Sequence, residues 1–232
     1  MHPTDNTGRV AGFLYLLMGI PAPFSLIYVP RTLIAPGNAT ATANNILGHE
    51  MLFRSGIVTG LASAVSFVLL VIALYRLLSG VNKTHAALMV ILAVVSVAIA
   101  FLNEVNNIAA LTLFRGGNFL TVFDKPQRDA LGMLFLGLHH QGLVVNEIFW
   151  GLWLFPFGVL VMRSRFLPRI LGVLLIVNCL AYVVASLTSL LLPSYAIVVS
   201  RAVLPALLGE LWIMLWLLIK GAKVQPSAAP AS

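Results

Sequence analysis

Six apolar stretches decide what this chain of 232 residues can fold into. Crossing ~30 Å of hydrocarbon takes ~20 residues of helix. Runs at least that long lie at roughly residues 9 to 28, 50 to 78, 85 to 114, 129 to 162, 167 to 191 and 196 to 220. Only 9% of residues are charged and 60% are hydrophobic, whereas a soluble domain carries about 25% charged residues. The chain therefore belongs in lipid. Helices satisfy their own backbone groups there, and the ~10-residue alternating segments of a β-barrel are missing. The predicted fold class is all-α, a polytopic membrane bundle of six transmembrane helices. It forms a single domain over residues 1–222, followed by a disordered Ala-, Pro- and Ser-rich tail over residues 223–232. Pro21 and Pro23 are expected to kink the first span, and the second, third and fourth spans are long enough to tilt or protrude.

The net charge of +7 is scattered between the apolar stretches with no basic run, which excludes a nucleic-acid partner. Arg9, Arg76, Lys83, Arg163, Arg165, Arg169, Lys220 and Lys223 fall on one side of the predicted topology. Arg31, Arg54, Arg115, Lys125, Arg128 and Arg201 fall on the other. The bias, concentrated in two tight turns, predicts that both termini are cytoplasmic. The first apolar run suits a spanning helix better than a cleavable signal core. The segments Pro30 to Asn45 and Arg115 to Arg128 read as external loops. The only cysteine, Cys179, has no partner for an internal disulfide. Asn38-Ala39-Thr40 fits a glycosylation acceptor and is read as a chance match.

Several runs resemble one family. They are Ala43-Asn44-Asn45-Ile46-Leu47, Leu52-Phe53-Arg54 with Gly56-Ile57-Val58, Ala73-Leu74-Tyr75-Arg76-Leu77-Leu78 with Val81-Asn82-Lys83, Ala100-Phe101-Leu102-Asn103, Phe149-Trp150-Gly151-Leu152-Trp153-Leu154-Phe155-Pro156, and Phe166-Leu167-Pro168-Arg169-Ile170-Leu171-Gly172-Val173-Leu174. Together they are similar to the bacterial membrane family designated domain of unknown function 4386, over roughly residues 8 to 220. The resemblance implies a multi-pass protein of the bacterial inner membrane and assigns no chemistry.

Chemistry must come from the polar residues within the spans. Glu104, Glu147 and Glu210 each sit in an apolar helix, where an acidic side chain costs ~3 kcal/mol to insert at the centre. At ~1.5 Å per residue from the inner charges, Glu210 lies about 15 Å up, Glu147 about 24 Å and Glu104 about 28 Å, with Arg54 level with Glu104 and His139 and His140 higher. The candidate site therefore gathers Glu104, Glu147, Glu210, His139, His140, Arg54, Asn103, Asn107 and Trp150 in the outer half of the bundle. Glu104 and Asn107 are three apart, as are Asn103 and Asn106, so the third span is polar over a broad arc. Glu147 and Glu210 read as acceptors or proton carriers, Glu104 and Arg54 as an outer gate pair, and the histidines as the mouth. Histidine titrates near neutral pH and can couple such a site to protons. Trp150 near the Glu147 face suits an organic cation or an amphiphile.

Three functions fit these residues. The first is binding, extended to transport, of a small lipophilic or cationic molecule. The second is an intramembrane enzyme acting on a lipid or isoprenoid by glutamate–histidine acid–base chemistry, a metal-assisted version of which would use Glu104, Glu147, Glu210 and one histidine as ligands. The third is a non-catalytic membrane partner whose polar residues only fix packing, with Arg54 or Arg201 neutralising a glutamate each. No cofactor or metal is expected. His49-Glu50 begins like a zincin, but Phe53 stands where the second histidine belongs. No nucleophile elbow, phosphate-cradling glycine motif or dinucleotide fingerprint is present. Membrane lipid and a small-molecule ligand are the partners the composition allows.

Overall fold

A computed structural model describes residues 3–206 and 208–222. The tail from Lys223, expected to be disordered, lies outside the described residues. The described residues are mostly helical, with α1 (Pro3–Gly19), α2 (Pro21–Pro23), α3 (Val29–Leu33), α4 (Ala39–Gly48), α5 (Glu50–Leu78), α6 (Lys83–Arg115), α7 (Lys125–Leu152), α8 (Leu154–Arg163), α9 (Arg169–Leu191), α10 (Ala196–Val203) and α11 (Leu208–Lys220). Six stretches are long and apolar enough to cross a membrane: Asn6–Leu33, Glu50–Leu78, Lys83–Arg115, Lys125–Arg163, Arg169–Leu191 and Pro193–Lys220. They coincide with the six read from the sequence, and the protein is a multi-pass integral membrane protein.

Proline accounts for the interruptions. After Pro21 and Pro23 the first span passes through a π-helical turn, Phe24–Tyr28, because each proline withholds an amide from the regular ladder. In the fourth span the Pro156 ring crowds the carbonyl four residues back, and regular helix breaks at Trp153. In the sixth, Pro205 replaces i→i−4 bonding by shorter steps, Ala206 N–H to Val203 O at 2.9 Å and Gly209 N–H to Ala206 O at 3.0 Å. The segment Pro30 to Asn45, expected to be a loop, is largely helical. Asn38 caps α4 by accepting the Ala41 amide at 2.9 Å, which explains that asparagine without any glycan.

The described residues divide into two compact units. One draws on Met1–Leu16, Val68–Val94 and Glu147–Ser232, and the other on Leu17–Phe67 and Val95–Asn146. In the first, α9 separates its environments cleanly. Ile170, Val173, Val177, Leu180, Val184, Leu187 and Leu191, spaced by alternating threes and fours, are exposed and form a lipid-facing stripe. Leu171, Leu175, Asn178 and Ala185 on the other face are buried, and α9 packs on α8, α10 and α11. The α8–α9 contact depends on two small residues. A Cβ on Gly158 would stand 2.7 Å from the Gly172 carbonyl oxygen, and one on Gly172 would stand 2.6 Å from that of Gly158. In the second unit, Phe53 and Ile57 of α5, Ala110, Leu111 and Phe114 of α6, and Leu136 of α7 make one core with Val29, Leu33, Ala43 and Ile46.

Candidate functional site

In the first unit the site is built around Glu210, in the first turn of α11. Tyr15, buried on α1, donates its hydroxyl to Oε2 at 2.6 Å. Asn178, buried on α9, donates Nδ2 to Oε1 at 3.1 Å. Tyr182, one turn further along α9, also hydrogen-bonds this carboxyl. The donors are neutral, so Glu210 is solvated by protein dipoles and not by a cation. Each tyrosine continues into an aromatic arm. Tyr182 meets Trp150 edge-on, with ring centres 6.1 Å apart, and Tyr15 lies 6.1 Å from Trp153, which stacks on Phe157 at 5.4 Å. Two acceptors remain unused. The buried Asn178 Oδ1 has no hydrogen-bond partner among the described residues. Glu147, half-buried on α7, has the Tyr182 hydroxyl as an electrostatic neighbour and no hydrogen bond or ion pair among the described residues.

In the second unit the polar arc of α6 meets α7. Asn107 Nδ2 donates to Glu104 Oε2 at 2.8 Å and lies 3.4 Å from His139 Nε2. The His139 ring also approaches the Asn103 carbonyl through Nδ1 at 3.2 Å, while Asn103 Nδ2 donates to the His139 carbonyl at 2.9 Å. Asn106 Nδ2 completes the cluster by donating to Asn103 Oδ1 at 3.1 Å. Two glycines make room for it. A Cβ on Gly60 would stand 2.9 Å from Glu104 Oε1, and one on Gly142 would collide with the Asn103 amide.

The gate pair of Glu104 with Arg54 does not form. Arg54 Nε instead binds Glu50 Oε1 at 2.6 Å, four residues earlier on the same helix face, where little chain order is needed to close the pair. Arg115 takes the same carboxylate through Nε at 2.7 Å and Nη2 at 2.6 Å. Lys125 binds the buried Asp129 at 2.7 Å. Among the described residues these are the ion pairs, so Glu104, Glu147 and Glu210 have no Arg or Lys partner, and Arg201 neutralises none of them. His140 is exposed, about 100° around the helix from His139. Among the described residues no three His, Cys, Asp or Glu side chains converge as metal ligands. Tyr15 and Tyr182 escape the sequence reading. Tyr182 carries a signal, since it is four residues from Asn178 on the same buried face; Tyr15 carries none.

The chain is 30% identical over 157 residues to an uncharacterized protein of Archaeoglobus fulgidus, an overlap covering 68% of this chain and 78% of that one. No solved structure matches it. A family model spans almost the whole sequence and every residue of both polar clusters. The chain belongs to the family described as Domain of unknown function (DUF4386), whose model it matches over residues 10–221.

Proposed function

We propose that this integral membrane protein binds a small lipophilic cation at the aromatic–carboxyl cluster of the first unit. The observation that carries this reading is Glu147, a half-buried carboxyl within a span that meets no protein donor or cation among the described residues. Beside it stand Trp150 and Tyr182, whose π-faces attract an ammonium. Asn178, whose Oδ1 is unpaired among the described residues, belongs to the same cluster through its Nδ2 bond to Glu210. Glu210, already satisfied by Tyr15, Asn178 and Tyr182, orders the rings and is not the first contact. The setting is the bacterial inner membrane with both termini cytoplasmic, as the resemblance and the charge bias imply.

The enzyme reading would use Glu104 and His139, which are joined through the Asn107 amide. An amide bridges hydrogen bonds but does not relay a proton at neutral pH, so this arrangement supports a binding or packing role more than acid–base catalysis.

The test uses 2-phenylethylamine, with 2-phenylethanol as its uncharged analogue. The amine is expected to raise the apparent Tm of the purified protein and to quench tryptophan fluorescence. The alcohol is expected to do neither, and Glu147→Gln to abolish both effects. Equal responses to amine and alcohol, or an unchanged response in Glu147→Gln, would refute the binding site. Uptake of labelled amine into proteoliposomes then tells movement from binding alone.

A further inference from the structure

The second unit contains a feature that the cation site does not use. A cleft of about 220 Å³ is lined by Arg54, Ile57 and Val58 of α5 and by Ile108, Leu111, Thr112 and Arg115 of α6. Its two ends differ in kind. One is formed by Arg54 and Arg115, whose guanidinium groups share the Glu50 carboxylate, and the other is aliphatic and faces outward, with Val58 64% and Ile108 50% exposed. Glu50 opens one span and Arg115 closes another, so the charged end lies at helix ends and not mid-span.

The charge does not balance. Two arginines share one carboxylate, leaving an excess of one positive charge. Arg54 meets Glu50 through Nε, and Arg115 through Nε and Nη2. The two side chains are 45% and 53% exposed, so both guanidinium groups are open to a further partner. Helix-end electrostatics explains an acid at the start of α5 and a base at the end of α6. It does not explain a second arginine whose donor fork opens beside an apolar cleft. Planar guanidinium donors match phosphate oxygens in pairs, and basic pockets between spans are where anionic headgroups lodge.

The geometry points to a binding site for one anionic phospholipid. Its phosphodiester bridges Arg54 and Arg115, and an acyl chain lies along Val58, Ile108 and Leu111. Glu50 holds the two guanidinium groups apart and in place, so that the lipid meets a formed fork. The site belongs to the second unit and is independent of the proposed amine site.

Native mass spectrometry of delipidated protein titrated with dioleoylphosphatidylglycerol or dioleoylphosphatidylcholine tests the assignment. The wild type is expected to retain one phosphatidylglycerol at least ten-fold more strongly than phosphatidylcholine. Arg54→Gln/Arg115→Gln should erase that preference. Arg54→Gln alone, which keeps the Glu50–Arg115 pair and hence the fold, should reduce it at least three-fold. Val58→Trp, a change on a lipid-facing position that leaves the charges alone, should lower phosphatidylglycerol retention by displacing the chain. Equal retention of the two lipids, or an unchanged preference in the Arg54→Gln single variant, would overturn the site. Displacement of the lipid by equimolar inorganic phosphate would overturn the lipid as its occupant.

Discussion

Tyr15 and Glu210 stand 195 positions apart in the chain, yet the hydroxyl of one lies 2.6 Å from the carboxyl of the other. The bond ties α1 to α11 and supplies Glu210 with one of its neutral donors. Interhelical hydrogen bonds in membranes average ~0.6 kcal/mol and reach ~1.7 kcal/mol. A short bond to a carboxyl belongs near the upper figure. Tyr15→Phe is therefore expected to cost about 1–2 kcal/mol, read as a lower midpoint in denaturing-detergent titration. A variant as stable as the wild type would show that Glu210 is held by Asn178 and Tyr182 alone.

Gly142 and Asn103 are expected to behave as a coupled pair. A methyl group at position 142 collides with the Asn103 amide, which also serves Asn106 and the His139 carbonyl. Overpacking of this kind costs about 1–3 kcal/mol. Gly142→Ala should fall in that range, and adding Asn103→Ala should recover part of the loss. Strict additivity in the double-mutant cycle would mean that the two residues do not press on one another.

The Gly158–Gly172 contact sets how closely α8 and α9 approach. Valine at either position would drive its Cβ into the opposing carbonyl. Each variant is expected to lose at least about 2 kcal/mol, at the upper part of the overpacking range, whereas valine at the exposed Leu180 should be near neutral. Equal tolerance at all three positions, measured by folded yield and midpoint, would contradict the close packing.

Arg54 and Arg115 should differ from one another in stability. Exposed ion pairs contribute little to stability, and Arg115 meets Glu50 through both Nε and Nη2 where the Arg54 contact is made by Nε. Arg54→Gln is expected to lower the unfolding midpoint less than Arg115→Gln does, both effects shrinking at high salt. The reverse order would assign the structural role to Arg54.

Much of this was legible beforehand because lipid imposes a simple code. Span length and apolarity located the six crossings, and the three-residue spacing of Asn103, Glu104, Asn106 and Asn107 marked the arc that meets His139. Partner choice was harder to read. Arg54 was matched with a distant glutamate by depth, although Glu50 at i−4 was the cheaper partner. Tyr15 was invisible because a tyrosine in an apolar run reads as filler until its hydroxyl finds an acceptor from another span. Asn38 turned an expected loop into a capped helix, a local effect that small-residue composition conceals.

The central claim is that Glu147 is the open acceptor for a cation. Isothermal titration of 2-phenylethylammonium into wild-type protein and into Glu147→Gln tests it most directly. The wild type should bind one equivalent, and the variant, folded and with Glu210 intact, should bind at least ten-fold more weakly. Identical isotherms would contradict the claim and leave Glu147 without a role in recognition.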